Sequence, residues 1–242
     1  MPSPIGAVSG GVGRESGRSC SGLVSALLSR LGENGDDARN RSLALEALRQ
    51  AVDVFNLERT WMDRRLVAEV DFVASTDTYS LPTRFQALIG RAFLLDTDGV
   101  RTLDMVDMPY EEFLIKVHDE RTSDGVPEIF TIINAVNDGL FTVWPAPSAA
   151  SIAIYPSMRL VYYADIPICD SADGAGSLAV SGRLEQAIFS EALYVLNDMI
   201  GKADKAPRYF AEAQRLRVLA MAYDSRRRVN WSKLSGRSGV NR

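Results

Sequence analysis

The stretch EIFTIINAVNDGLFTVWPAP (128–147) decides how this chain of 242 residues is read. Two apolar runs, Glu128–Ala135 and Leu140–Trp144, flank Asn137-Asp138-Gly139. Asn or Asp before Gly supplies the positive backbone angles of a tight hairpin turn, and the runs beside it are rich in β-branched and aromatic residues. The segment predicts an antiparallel hairpin. It ends at Trp144-Pro145-Ala146-Pro147, where proline removes a ladder donor and pushes the preceding residue into extended geometry. Two further segments share this punctuation: Tyr79-Ser80-Leu81-Pro82 and Gly125-Val126-Pro127-Glu128-Ile129-Phe130.

Outward from the hairpin, period-2 patterning continues in both directions. Leu66, Ala68, Val70 and Phe72 alternate with Val67, Glu69 and Asp71, as a half-buried strand requires. Ser75-Thr76-Asp77-Thr78 is a turn into Tyr79. Strands are expected over Ile89–Leu95 and Val100–Val106 around Thr97-Asp98-Gly99. Pro109-Tyr110-Glu111-Glu112 opens a short helix to about His118, with proline first and acids in the first turn. A last strand is expected over Ile152–Tyr163, at a sheet edge or bulged because Pro156 interrupts it.

Both ends of the chain read as helix. Leu23, Val24, Leu27, Leu28 and Leu31 share one face, with Gly32 as the stop. Asp36 or Asp37 caps a longer helix to about Arg59, whose stripe is Ala44, Ala47, Leu48, Ala51, Val52 and Phe55. After a Gly/Ala/Ser loop (170–181), helices are expected over Arg183–Lys202 and Pro207–Arg228. Helices at the ends and strands between them define an α+β fold: terminal helices forming a helical bundle, with an inserted antiparallel β domain. The boundaries are an N-terminal arm (1–22), the bundle (23–60 and 181–228), the β-rich insert (61–180) and a basic C-terminal tail (229–242).

The composition is that of an ordinary globular protein, 46% hydrophobic and 24% charged. Cys20 and Cys169 are the two cysteines. They read as two small buried or idle thiols in a reducing cytoplasm, not as a disulfide framework or metal cluster. No run approaches the ~20 apolar residues of a membrane span, and the Gly/Ser-rich start lacks a signal peptide's apolar core. Charge is unevenly spread. Residues 1–200 carry 16 Lys/Arg against 28 Asp/Glu, a balance of −12, and residues 201–242 carry 11 against 3, a balance of +8.

Catalytic chemistry is thin. His118 is the single histidine, next to Asp119 and Glu120 at a helix end, where a solvated surface role outweighs that of a general base. Glu111-Glu112 and Asp119-Glu120 are adjacent pairs that point apart on a helix. Gly10-Gly11-Val12-Gly13 precedes no strand–helix unit and no Gly-Lys-Ser/Thr, so it reads as a flexible arm and not a phosphate loop. No catalytic, cofactor or metal residues are assigned, and an enzyme is not expected. The strand aromatics lie among acids, which favours packing over stacking on nucleic acid.

The ordered set of motifs (helical hairpin with a terminal Trp, Y-x-L-P, Gly-x-Pro, an Asp-Gly turn, Trp-Pro-x-Pro, helical pair) resembles the head-to-tail adaptor, or connector, proteins of tailed bacteriophages. The residues that carry it are Trp61, Tyr79, Leu81, Pro82, Phe85, Gly125, Pro127, Phe130, Trp144, Pro145 and Pro147, within about Leu23–Arg226. The aromatic usually found as Tyr after Gly-x-Pro-x is here Phe130, displaced behind Ile129. The resemblance implies a homo-oligomeric ring, dodecameric in form, at the head–tail junction of a virion and made in the host cytoplasm. It would sit between a portal protein and a tail or nozzle protein, and DNA would pass through its channel without specific binding. An acidic body suits such a channel wall, because phosphates are repelled. Arg226, Arg227, Arg228, Trp231, Lys233, Arg237 and Arg242 are expected to form the portal-docking element, with Trp231 as anchor and the cations as rim. The competing readings are a nucleic-acid-binding module using the basic tail, another tail or baseplate structural protein, and a small hydrolase using His118.

Overall fold

Capping and apolar spacing place the helices close to where the sequence predicts them. The computed structural model describes residues 17–120, 124–134, 139–202 and 205–235, with the backbone alone at 119–120, 134 and 229–235. The chain forms two compact units, Arg65–Asp165 and a second built from the segments ending at Arg64 and beginning at Ile166.

The helical unit starts with α1 (Cys20–Leu31), whose N-cap Ser19 hydroxyl accepts from the Gly22 N–H at 3.1 Å. Gly32 ends it with φ 72°, the left-handed turn that favours glycine. Asp37 caps α2 (Ala38–Glu58), its carboxylate accepting from the Arg39 N–H at 2.8 Å. Two later helices, α5 (Gly182–Met199) and α6 (Ala206–Ser235), complete the bundle. Leu23, Leu27, Ala51, Phe55, Ile188 and Leu196 are among its fully buried side chains. Each large one contributes about 1.5–3 kcal/mol on leaving water.

The helical unit corrects three expectations. First, α1 begins at Cys20, inside the stretch 1–22 read as an arm; residues 1–16, with the Gly-rich Gly10–Gly13, lie outside the described residues. Second, α6 runs to Ser235 instead of ending near Arg228, so the first residues of the supposed tail are helical. Third, the cysteines are not idle thiols: Cys20 and Cys169 form a disulfide, with Cα atoms 5.8 Å apart. The loop after Cys169 lies along the start of α1, where the Cys20 and Ser21 N–H groups donate to the Gly176 and Gly174 carbonyls (2.7 and 3.2 Å). That packing joins residues 149 positions apart, which spacing alone cannot show. Cysteine usage therefore does not argue for a reducing compartment. Closing so long a loop restricts the unfolded chain, so reduction, or Cys20→Ser, is expected to cost about 2 kcal/mol. Thermal melts with and without reductant test this, and coincident curves would refute it.

One buried group works against the bundle. Glu191 of α5 is 8% exposed, and its Oε2 has no hydrogen-bond partner. Burial raises its pKa, opposed by the Arg217 cation and reinforced by the Glu58 carboxylate. A raised carboxyl pKa means the folded state holds the proton more tightly, so this stability is present at low pH and lost as pH rises through the folded value. The melting temperature of Glu191→Gln relative to wild type is therefore expected to rise from mildly acidic to neutral pH. A pH-independent difference would count against it.

The β unit stacks two sheets. In the first, β9 (Ser157–Ala164) is central. It pairs antiparallel with β1 (Arg65–Asp71) from Arg65↔Tyr163 to Asp71↔Ser157. Its other side takes β3 (Phe85–Leu88) and then β4 (Phe93–Leu95), and β5 (Arg101–Asp104) adds beyond β4. The second sheet runs β2 (Thr78–Ser80), β8 (Leu140–Trp144), β7 (Ile129–Asn134), β6 (Val106–Asp107). Inward residues of both, among them Val70, Leu94, Phe130, Phe141, Met158 and Leu160, share one core.

The hairpin is present as the antiparallel β7–β8 pair, although Asn137 and Asp138 lie outside the described residues. Three strand expectations change. The last strand is central and not at an edge: Pro156 precedes it, and Ala149–Ile152 is a short helix, α4. The strand expected over Ile89–Leu95 keeps only its end, because Gly90 at φ 71° turns the chain between β3 and β4. The strand expected over Val100–Val106 divides at Met105, 1% exposed, whose N–H donates to the Ala92 carbonyl while the chain crosses from β5 in one sheet to β6 in the other. There β6 runs parallel to β7, whereas the other strand pairs of the unit are antiparallel. The short helix α3 (Tyr110–Glu120) packs Phe113 and Val117 against Ile129 and Trp144.

Candidate functional site

The three proline-punctuated segments meet at one corner of the β unit. Gly125 pairs with Pro147 in a parallel bridge: the Gly125 N–H donates to the Ala146 carbonyl (2.7 Å), and the Ser148 N–H returns to the Gly125 carbonyl (3.0 Å). A Cβ at Gly125 would lie 3.4 Å from the Pro145 ring, in close contact with it. The Glu128 N–H donates to the Trp144 carbonyl (3.0 Å), and the Trp144–Pro145 peptide is cis. The turn before Tyr79 joins through the Ser75 N–H, which donates to the Pro147 carbonyl (2.9 Å), and through the Ser75 hydroxyl on Asp124.

Tyr79 fixes that turn from inside. Its ring stacks on Phe141 (5.6 Å between centroids) and tilts against Phe72 (5.8 Å). Its hydroxyl donates to the Thr76 carbonyl (2.8 Å) and accepts from the Val73 N–H (3.2 Å). Burial pushes the phenol pKa up, which keeps it a donor. Leu81, Pro82 and Phe130 are buried, and the Leu81 N–H donates to the Gly139 carbonyl (2.7 Å). Tyr79, Leu81, Pro82, Gly125, Pro127, Phe130, Trp144, Pro145 and Pro147 thus mark a backbone brace. Proline leaves carbonyls without a matching N–H, and the neighbouring segments use them.

The cations expected to dock on a portal divide. Arg226 is exposed on α6. Arg227 pairs with Asp63, and Arg228 pairs with Asp224 (2.8 Å) and reaches the Thr60 carbonyl and hydroxyl. Asp224 is almost fully buried; it also pairs with Arg59 (2.9 Å) and accepts from the Met62 N–H (2.7 Å). Two of the three consecutive arginines therefore tie α6 to the segment 59–63. Trp231 and Lys233 lie on the course of α6, but their side chains, like Arg237 and Arg242 entirely, lie outside the described residues. The sequence reading missed Asp224 and Asp63, since lone acids among arginines do not show which ones they hold.

His118 is exposed in the last turn of α3, and Glu111 and Glu112 are exposed in its first. Among the described residues, no three or more His, Cys, Asp or Glu side chains group so as to hold a metal ion, and no helix is long and apolar enough to cross a membrane.

Backbone bracing, apolar packing and ion pairs that hold the fold are what these residues assemble. The family model of the SU10 adaptor protein matches residues 18–238, and the chain belongs to that family of phage structural adaptors. No curated protein matches it.

Proposed function

We propose that the protein is the connector between portal and tail: a ring of identical copies, twelve by resemblance, that extends the DNA channel and carries the tail's attachment platform. The adaptor-family match, running from residue 18 to residue 238, carries this reading. Charge supports it, since residues 65–165 hold 7 Lys/Arg against 15 Asp/Glu, a balance of −8 that suits a surface over which DNA slides. The expected result of mixing the protein with the portal protein of the same phage is a stacked ring in electron micrographs. Separate particles at micromolar concentration would overturn the reading.

Portal docking is assigned to Arg226 and the chain beyond it, Trp231, Lys233, Arg237 and Arg242, with Arg227 and Arg228 setting the direction of α6 through Asp63 and Asp224. The informative truncation ends after Arg228, because it keeps those pairs. It is expected to lose portal binding with its melting temperature intact, and full-affinity binding would exclude this element.

A further inference from the structure

Two surfaces, one on each unit, carry apolar side chains that their own unit does not cover. On α3, Phe113 and Val117 face the core, but the apolar arc continues past them to Tyr110 and Leu114, both exposed, and Ile115 is 63% exposed on the outer side. The segment leading into α3 adds Leu103 and Val106, exposed on β5 and β6, the outermost strands of their sheets. Open strand edges with apolar side chains are sites for another chain. Asp107, Glu111 and Glu112 are exposed beside them.

The second surface is the outer face of α6. At 100° per residue, Ala213, Ala220 and Asp224 fall together on the buried side. Arg208, Ala211, Arg215, Val218, Leu219 and Ala222 fall on the opposite side, all exposed, with Val218 at 62%. Val218 and Leu219, adjacent and more than half exposed, with Ala211 and Ala222 beside them, make a contiguous apolar strip on the solvent side. The described residues of α6 hold two carboxylates, Asp224 on the buried side and Glu212, half-buried at the flank of the outer face, against the exposed Arg208 and Arg215 within it.

We propose that these surfaces are partners across copies: the acidic, apolar α3–β5–β6 face of one molecule docks on the basic, apolar outer face of α6 of the next. Opposite charge around two apolar strips favours this pairing over either face meeting itself. A contact between two different patches repeats head to tail, the kind of contact from which a ring closes when the rotation per copy allows it. The inference rests on the ring reading above and assigns its subunit interface.

The test uses full-length protein with portal and counts rings by electron microscopy and mass photometry. Glu111→Arg with Glu112→Arg reverses the first face; Arg208→Glu with Arg215→Glu reverses the second. Each double variant is expected to keep the wild-type circular dichroism at the assay temperature, the arginines in the first turn of α3 costing only a small drop in melting temperature, and to give at least a tenfold lower ring yield. Mixing the two in equal amounts restores rings, because each reversed face then meets its complement on the other variant, and copies alternate. Leu114→Ser with Ile115→Ser lowers the yield without rescue by mixing. Wild-type rings that persist in both reversed variants overturn the interface and leave the ring reading standing. Failure of the mixture to restore rings, or variant rings that lose only tail attachment, overturns it as well. Absence of rings from the wild type overturns the ring reading and this inference with it.

Discussion

Tyr79→Ala is expected to destabilise the β unit by about 3–5 kcal/mol, the range for removing a buried aromatic ring. The ring lies between Phe141 and Phe72, so its loss opens a cavity that two large neighbours cannot close. The hydroxyl also holds the turn over Val73–Thr76, whose Ser75 N–H meets the Pro147 carbonyl. The damage should therefore spread along the brace, and the amides of Leu81, Gly125 and Ser148 should lose protection from hydrogen exchange together. Tyr79→Phe separates the two roles. It keeps the stack but strands the Val73 N–H and the Thr76 carbonyl, at about 1–3 kcal/mol. Exchange at Gly125 and Ser148 unaltered in Tyr79→Ala would show that the corner is not one cooperative piece.

Asp224→Ala is expected to cost the helical unit about 3 kcal/mol. One carboxylate faces Arg59 and Arg228 and accepts from the Met62 N–H, so its removal takes the shared negative charge from two guanidiniums and one acceptor from a backbone donor. Breaking a buried pair from one side costs about 3–5 kcal/mol, and the lower figure applies because both arginines keep some contact with water. Asp224→Asn keeps the shape and should lose nearly as much, since the charge is what both guanidiniums need. Chemical denaturation of the two variants beside wild type measures this. A loss below 0.5 kcal/mol in Asp224→Ala would mean that solvent already screens the cluster.

The helices were legible because their signals are local. Ser, Asp and Gly stand where caps belong, and the α2 stripe from Ala44 to Phe55 is the buried face. The β7–β8 hairpin was legible for the same reason, with its turn chemistry and patterning inside one window. What escaped depends on partners distant in sequence. Pro156 marks a strand's start and not its edge, because β1 and β4 come from elsewhere to flank β9. Met105 divides an apparent strand because a second sheet is there to receive β6. Of the site, the motif prolines could be picked out, but not that Gly125 would pair with Pro147; the arginines could, but not that Asp63 and Asp224 would hold two of them.

The register Arg65↔Tyr163 places the β unit's two ends side by side while its chain occupies residues 65–165. During synthesis this sets an order of events. The α1–α2 hairpin leaves the ribosome with its apolar stripe complete, but α5, which covers α2, begins only at Gly182, 124 positions after Glu58. At about 5–20 residues per second the wait is on the order of 6–25 s. The strands of the β unit find all their partners within residues 65–165, so both sheets can pair in that interval. The helical hairpin is thus left as the part of the nascent chain most exposed to a chaperone, or to the same hairpin on a neighbouring polysome.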